Sequence, residues 1–196
     1  MLPIKVRYHF QTVEPKLLIV DHDITLSPTK RYFRDLCESI VCQQLSGRAA
    51  ASIWKKFRSI VGEKKITPQY ITTLDESFLR TTGISWSKTR YTKNVAKAFL
   101  DGTVTPKEFV SMENEEIITQ LVRIKGVGRW TAEMFLMFSL GREDVFSAGD
   151  LGLKKAVQRL LHMKKLPAER TMKYASKKWS PYRTYAAMIL WKSLEE

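Results

Sequence analysis

The chain has 196 residues, with 33 Lys and Arg against 20 Asp and Glu, for a formal charge of +13 and a pI near 9.8. A chain of this length removes roughly 70% of its unfolded surface from water on folding, and 44% hydrophobic residues with five Trp, seven Tyr and nine Phe exclude a disordered basic tail. The charge sits on a folded body and favours a polyanionic partner.

Cys37 and Cys42 form no C-x-x-C pair, and His9, His22 and His162 are scattered. This excludes a cysteine-held iron–sulfur cluster, and no metal site is expected. There is no apolar run of about 18 residues and no charged-then-apolar leader, so the expectation is an intracellular protein of a reducing compartment without membrane contact.

In chain order, residues 4–10 and 17–20 read as the only strands, an N-terminal hairpin or extended segment. Ser27-Pro28, Thr67-Pro68, Thr105-Pro106 and Ser180-Pro181 each place a capping hydroxyl before a proline whose missing N–H costs nothing at the first helical position. They predict four helix starts. Phe33, Leu36, Ile40 and Val41 predict a first core helix, and Ala49, Ala50, Ile53, Trp54 and Phe57 a second. Thr73-Leu-Asp-Glu76 and Thr105-Pro-Lys-Glu108 predict capping boxes, while Gly62, Gly83, Gly102 and Gly141 fall where helices would end. Ile117, Ile118, Leu121 and Val122 predict a further helix before a Gly turn, and residues 132–140 are apolar nearly all round, as in a helix buried on every side. Trp54, Phe135 and Trp179 are expected in the core. With no βαβ alternation, the class is all-α.

Leu121-Val-Arg-Ile124-Lys-Gly126-Val127-Gly128-Arg-Trp-Thr-Ala132 has two glycines flanking one apolar residue, with hydrophobic anchors three and six residues before it. This is the helix-hairpin-helix pattern. Its glycines let the turn take positive φ and let a phosphate approach bare backbone, holding DNA without reading its sequence. Alone, a G-x-G is as consistent with an ordinary tight turn between two packed helices. Asp150, before the apolar run 151–161, fits a plain N-cap aspartate.

The stretch Ile124-Lys-Gly-Val-Gly-Arg-Trp-Thr-Ala-Glu-Met134, followed by Asp144-Val-Phe-Ser-Ala-Gly-Asp150-Leu-Gly-Leu153, resembles the helix-hairpin-helix/GPD (HhH-GPD) superfamily of DNA glycosylases, within it the AlkA-type 3-methyladenine branch. Ile40-Val-Cys-Gln-Gln-Leu-Ser-Gly-Arg-Ala-Ala50, Gly83-Ile-Ser-Trp-Ser-Lys-Thr-Arg90 and the segment from Trp179 to Trp191 resemble it too. The resemblance implies a two-lobed helical fold with the active-site cleft between lobes, one lobe from about 42 to 148 and the other from about 1 to 41 plus 149 to 196. It leaves no room for the additional N-terminal sheet domain of larger members.

The resemblance also implies that Asp150 is catalytic and that Trp130 and Trp191 line the base pocket, with Met134, Trp86 and Tyr182 as further candidates. An electron-poor alkylated purine suits aromatic faces. Met134, where some members have tyrosine, and Leu151 after the aspartate imply a softer pocket. Gln43, Gln44 and Leu45 are placed at the wedge that fills the hole left by a flipped base. Ser46, Gly47, Arg48, Ser87, Lys88, Lys125, Gly126, Val127 and Gly128 are placed along the DNA backbone. Members that also cut the strand carry a lysine two residues after the second hairpin glycine; here that residue is Trp130, which implies a monofunctional enzyme leaving an abasic site.

The expectation is therefore excision of 3-methyladenine and 7-methylguanine from double-stranded DNA by a monomer. No cofactor is expected beyond a monovalent or divalent cation between the hairpin and a phosphate. The compartment is the cytoplasm and nucleoid in a prokaryote and the nucleus in a eukaryote. The alternatives are a non-catalytic protein that binds DNA lesions or structures through the same hairpin, or a glycosylase for another damaged or mismatched base.

Overall fold

The computed structural model describes residues 1–18 and 24–194, and these contain eleven α-helices and no strand. α1 (Ile4–Val13) comes first. It is followed by α2 (Tyr32–Cys42), α3 (Gly47–Val61), α4 (Pro68–Thr73), α5 (Glu76–Thr81), α6 (Trp86–Leu100), α7 (Asn114–Val122) and α8 (Arg129–Met134). After a π-helical turn, Phe135–Ser139, the order closes with α9 (Leu151–Leu160), α10 (Glu169–Ser176) and α11 (Arg183–Lys192).

Two compact units result, one of Thr29–Phe135 and one of Met1–Pro28 with Leu136–Glu196. These boundaries fall earlier in the chain than the ones expected near 41 and 148. The physical reason is that α2 packs on α3, α6 and α8, all in the middle unit. In that unit the core is built from Phe33, Leu36, Ile40, Phe57, Ile71, Val95, Ile117 and Leu121, all of them buried. In the terminal unit α11 packs on α9 and on a 3₁₀ turn, Pro15–Leu18, and Trp179 and Phe10 are fully buried.

The N-terminal strands are corrected to helix. Val6 and Phe10, four residues apart, are both fully buried on α1, which is the helical period rather than the alternation of a strand. Residues 15–18 form the 3₁₀ turn with Leu17 buried. Ile19 and Val20, the rest of the second expected strand, lie outside the described residues.

Of the four Ser/Thr-Pro signals, Thr67-Pro68 acts as expected: Thr67 Oγ1 accepts from the Tyr70 N–H at 3.3 Å with the proline in the first turn. The other three do not open helices, because their hydroxyls or neighbours serve elsewhere. α2 begins only at Tyr32, where Thr29 Oγ1 accepts from the Arg31 N–H at 3.2 Å and donates to the Asp35 carboxylate. Thr105 Oγ1 donates to Glu108 Oε2 at 2.5 Å, so residues 106–110 remain turns. Ser180 Oγ donates to Asp144 Oδ2 at 2.8 Å, and α11 starts at Arg183. Thr73 ends α4 by donating to the Tyr70 carbonyl, and Asp75 takes the cap position of α5, so that predicted capping box is absent; the box that forms is Glu113 with Glu116 at the start of α7.

The core tryptophans and Phe135 are as expected: Trp54, Trp179 and Phe135 are all buried. The helix expected to be buried on every side is not, since the π-helical turn rotates Phe138 to 42% exposure.

Candidate functional site

In the middle unit, α7 and α8 form the two arms of the hairpin. Leu121, Ile124 and Val127 are buried and anchor the turn, closed by Val127 N–H donating to the Ile124 carbonyl at 2.9 Å. Only Gly126 takes positive φ, at 111°. A Cβ there would fall on Cβ and Cγ of Tyr91, so the ring requires a glycine. Gly128 corrects the expectation that both glycines are left-handed. It has φ −91° and ψ 170°, occupies the N-cap position of α8, and a Cβ there would meet nothing within 4 Å. Its bareness faces outward. Val127 can touch a phosphate only through its backbone, because its side chain is buried. Arg129 is not an open cation either: its guanidinium binds both carboxylate oxygens of Glu115 on α7 and, through Nε, Glu133 at 3.0 Å. The Glu115 hydrogen bonds hold its pKa above the ordinary value.

Residues 43–46 join α2 to α3. Gln43, expected at the wedge, points inward instead. Its Nε2 donates to the Gly126 carbonyl at 3.1 Å and to Thr131 Oγ1 at 3.3 Å. Gln44 has φ +57° and is exposed. A non-glycine residue in this region stores about 1–3 kcal/mol, and such strain persists where surrounding structure enforces it. Leu45, 41% exposed, borders a hollow of about 440 Å³ flanked by Ala49, Ile53 and Ile84. Ala49 and Ile53, part of the expected apolar stripe, line this hollow and do not enter the core. Ser46 makes no side-chain cap bond, and Ser46, Gly47 and Arg48 are all exposed at the start of α3.

Lys88 was expected against the DNA backbone, yet its ammonium donates to the Val41 carbonyl at 2.8 Å and the Gln43 carbonyl at 2.7 Å. It closes the C-terminal end of α2. Burial lowers its pKa from the usual lysine value, a cost that the two carbonyls offset. Ser87 and Lys125 are exposed, with the Lys125 carbonyl accepting from Asn94 Nδ2 at 3.0 Å. Trp86, at the start of α6, lies under the Arg80 guanidinium at 5.3 Å. Trp130 is 45% exposed on the first turn of α8, and Met134, one turn on, is buried.

In the terminal unit Asp150 caps α9. Its Oδ1 accepts from the Leu153 N–H at 2.7 Å and from Trp191 Nε1 at 2.9 Å. Two donors converging on one oxygen fix the plane of the carboxylate, and the group stands at the positive end of the α9 peptide dipoles. Trp191, expected as a pocket wall, is seen here to donate to the carboxylate and, with the Leu153 N–H, to orient it. Gly152 makes room for it: a Cβ there would approach Trp191 Cδ1 to 3.0 Å and Asp150 Oδ1 to 3.1 Å. Tyr182 sits elsewhere in this unit, edge-on to His9 and Tyr185 with Lys5 over its ring. These contacts account for it as a packing residue.

Two residues of the carboxylate cluster escaped sequence reasoning. Phe138, with its ring centroid 6.3 Å from that of Trp191, looked like one more core residue in an apolar run. Gly152 looked like an unremarked helical glycine, although a glycine two residues after a capping aspartate was the available signal. Both cysteines are unpaired, and burial raises the pKa of each thiol. Among the described residues no group of three or more His, Cys, Asp or Glu could hold a metal ion, and no helix is long and apolar enough to cross a membrane.

A family model described as HhH-GPD superfamily base excision DNA repair protein matches residues 37–181. The chain is 37% identical over 166 residues to DNA-3-methyladenine glycosylase 1 of Schizosaccharomyces pombe, covering 84% of this chain and 73% of that protein. It is 34% identical to the putative DNA-3-methyladenine glycosylase YfjP of Bacillus subtilis, over 82% of this chain and 58% of that one. The solved 3-methyladenine DNA glycosylase of Schizosaccharomyces pombe in complex with abasic DNA superposes with a TM-score of 0.87 at 33% identity, covering 98% of this chain and 97% of that chain.

Proposed function

The chain belongs to the HhH-GPD superfamily of base excision DNA repair proteins, and from that premise we propose that it is a monofunctional DNA-3-methyladenine glycosylase. The observation that carries this reading is the oriented Asp150 carboxylate, held by the Leu153 N–H and the Trp191 indole.

Purines methylated at N3 or N7 are cationic, so the base departs with the bonding electron pair and needs little acid assistance. Positive charge then develops on the sugar. Asp150 is the group that stabilises this charge and takes the proton of the water that adds to C1′. Trp191 and Leu153 hold the carboxylate still, so no reorganisation is required as charge appears. The indole face of Trp191 suits an electron-poor base, and Phe138 beside it extends that aromatic surface. Double-stranded DNA is gripped by its phosphates at the hairpin, with Lys125 and the bare Gly128 outermost.

Residue 130 is tryptophan where strand-cutting relatives are expected to carry lysine, so water is the nucleophile. Incubation with methylated genomic DNA is expected to release 3-methyladenine and 7-methylguanine, read by mass spectrometry, with no protein–DNA adduct on borohydride treatment. A trapped adduct contradicts the hydrolytic mechanism, and the absence of released bases with binding intact favours a lesion-binding protein.

Trp191→Phe keeps a ring and removes the donor to Asp150. A hydrogen bond to a charged group contributes about 1.5–3 kcal/mol, so base release is expected to fall at least about tenfold while abasic DNA binding holds. A variant excising at the wild-type rate shows that the indole N–H is dispensable.

A further inference from the structure

Gln43 and its contacts form a brace between two exposed elements of the middle unit. The residue begins the turn that carries Gln44 and Leu45, yet its side chain reaches the hairpin 83 and 88 residues away, donating to the Gly126 carbonyl at 3.1 Å and to Thr131 Oγ1 at 3.3 Å. Its own carbonyl is held by Lys88 Nζ at 2.7 Å. Gln43 is therefore fixed at both ends, and the next residue, Gln44, is left-handed at φ +57°. An amide nitrogen is the atom that fits there, since both acceptors are oxygens and an oxygen from Gln43 would repel the carbonyl.

We propose that Gln43 is a positioning residue that makes the hairpin and the 44–45 turn one device, so that the hairpin seated on a phosphate fixes where the turn enters the base stack. This rests on the reading above that the chain flips bases out of duplex DNA. Gln43 itself need not touch DNA. Its role is to convert backbone grip into placement of the wedge, which a hairpin and a turn connected only through the general core would not ensure. Lys88 contributes the same rigidity from the other side, by securing the last carbonyls of α2 and the turn.

Gln43→Met keeps length and volume while removing both donors. The full-length variant is compared with wild type on two duplexes, one undamaged and one with a tetrahydrofuran abasic analogue opposite 2-aminopurine, whose fluorescence reports unstacking. Affinity for the undamaged duplex should stay within about twofold, affinity for the abasic duplex should fall about tenfold, and the 2-aminopurine signal at saturation should drop. Thr131→Val removes one acceptor and should give a smaller change in the same direction, and the double variant should be no worse than Gln43→Met alone, because the two share one interaction.

Thermal melting checks the fold. If Gln43→Met melts early, the milder Thr131→Val carries the same comparison. Equal losses on both duplexes, an unchanged 2-aminopurine signal, or additive losses in the double variant overturn the proposal. A wild type that unstacks 2-aminopurine but releases no methylated base refutes the substrate assignment and not this coupling; a wild type that unstacks nothing overturns both.

Discussion

Asp150→Asn is expected to reduce release of 3-methyladenine by about 10²–10³-fold, the range seen when one preorganised stabiliser of transition-state charge is removed. Folding and abasic DNA binding should be preserved, for a specific reason. Asn caps a helix about as well as Asp, and its amide oxygen can still accept from the Leu153 N–H and Trp191 Nε1 that now converge on Oδ1. The substitution therefore removes the negative charge while these two bonds can persist. Asp150→Ala also loses the cap, at about 1 kcal/mol, so a lower melting temperature should accompany its inactivity. Single-turnover release from methylated DNA and a thermal melt separate the two effects. An Asn variant that retains turnover within about tenfold of wild type would place the essential charge elsewhere.

The parts of this arrangement that sequence makes visible are those with local causes. The hairpin anchors Leu121, Ile124 and Val127 are buried where their spacing places them, and Asp150 caps α9 because the bond it accepts comes from three residues on. The parts that were hidden depend on distant partners. Ser180 looks like a cap, but Asp144, 36 residues away, takes its hydroxyl. Gln43 and Lys88 read as DNA-facing polar residues because nothing near them in sequence announces the Gly126, Val41 and Gln43 carbonyls that take their donors. The N-terminal helix was misread because its β-branched residues Ile4 and Val6 favour strands. Burial of Val6 and Phe10 against the terminal unit overrides that propensity. Phe138 was missed because a π-helical turn shifts the helical phase inside an apolar run, and periodicity at 3.6 residues cannot register such a shift.

The two hairpin glycines are expected to fail in opposite ways when each is replaced by alanine, and this contrast tests the hairpin more sharply than either variant alone. At Gly126, φ of 111° is already hostile to a side chain, and the added methyl would overlap the base of the Tyr91 ring rather than a flexible end. The turn must deform, with an expected loss of about 2–4 kcal/mol and a melting temperature lower by roughly 5–15 °C for a chain of this size. DNA binding falls with it, since the turn that would seat the phosphate is deformed. At Gly128 the backbone is extended and a Cβ meets no protein atom within 4 Å. Alanine there should leave the melting temperature unchanged or slightly raised, because it restricts the unfolded chain by up to about 1 kcal/mol. Its methyl nevertheless occupies the space through which a phosphate would approach the N–H groups at the start of α8, so affinity for any duplex should fall about tenfold with its salt dependence weakened. Calorimetry and fluorescence anisotropy on the same preparations read both quantities. If Gly128→Ala binds duplex as tightly as wild type, the phosphate is gripped elsewhere, and the outward bareness of that glycine has no part in holding DNA.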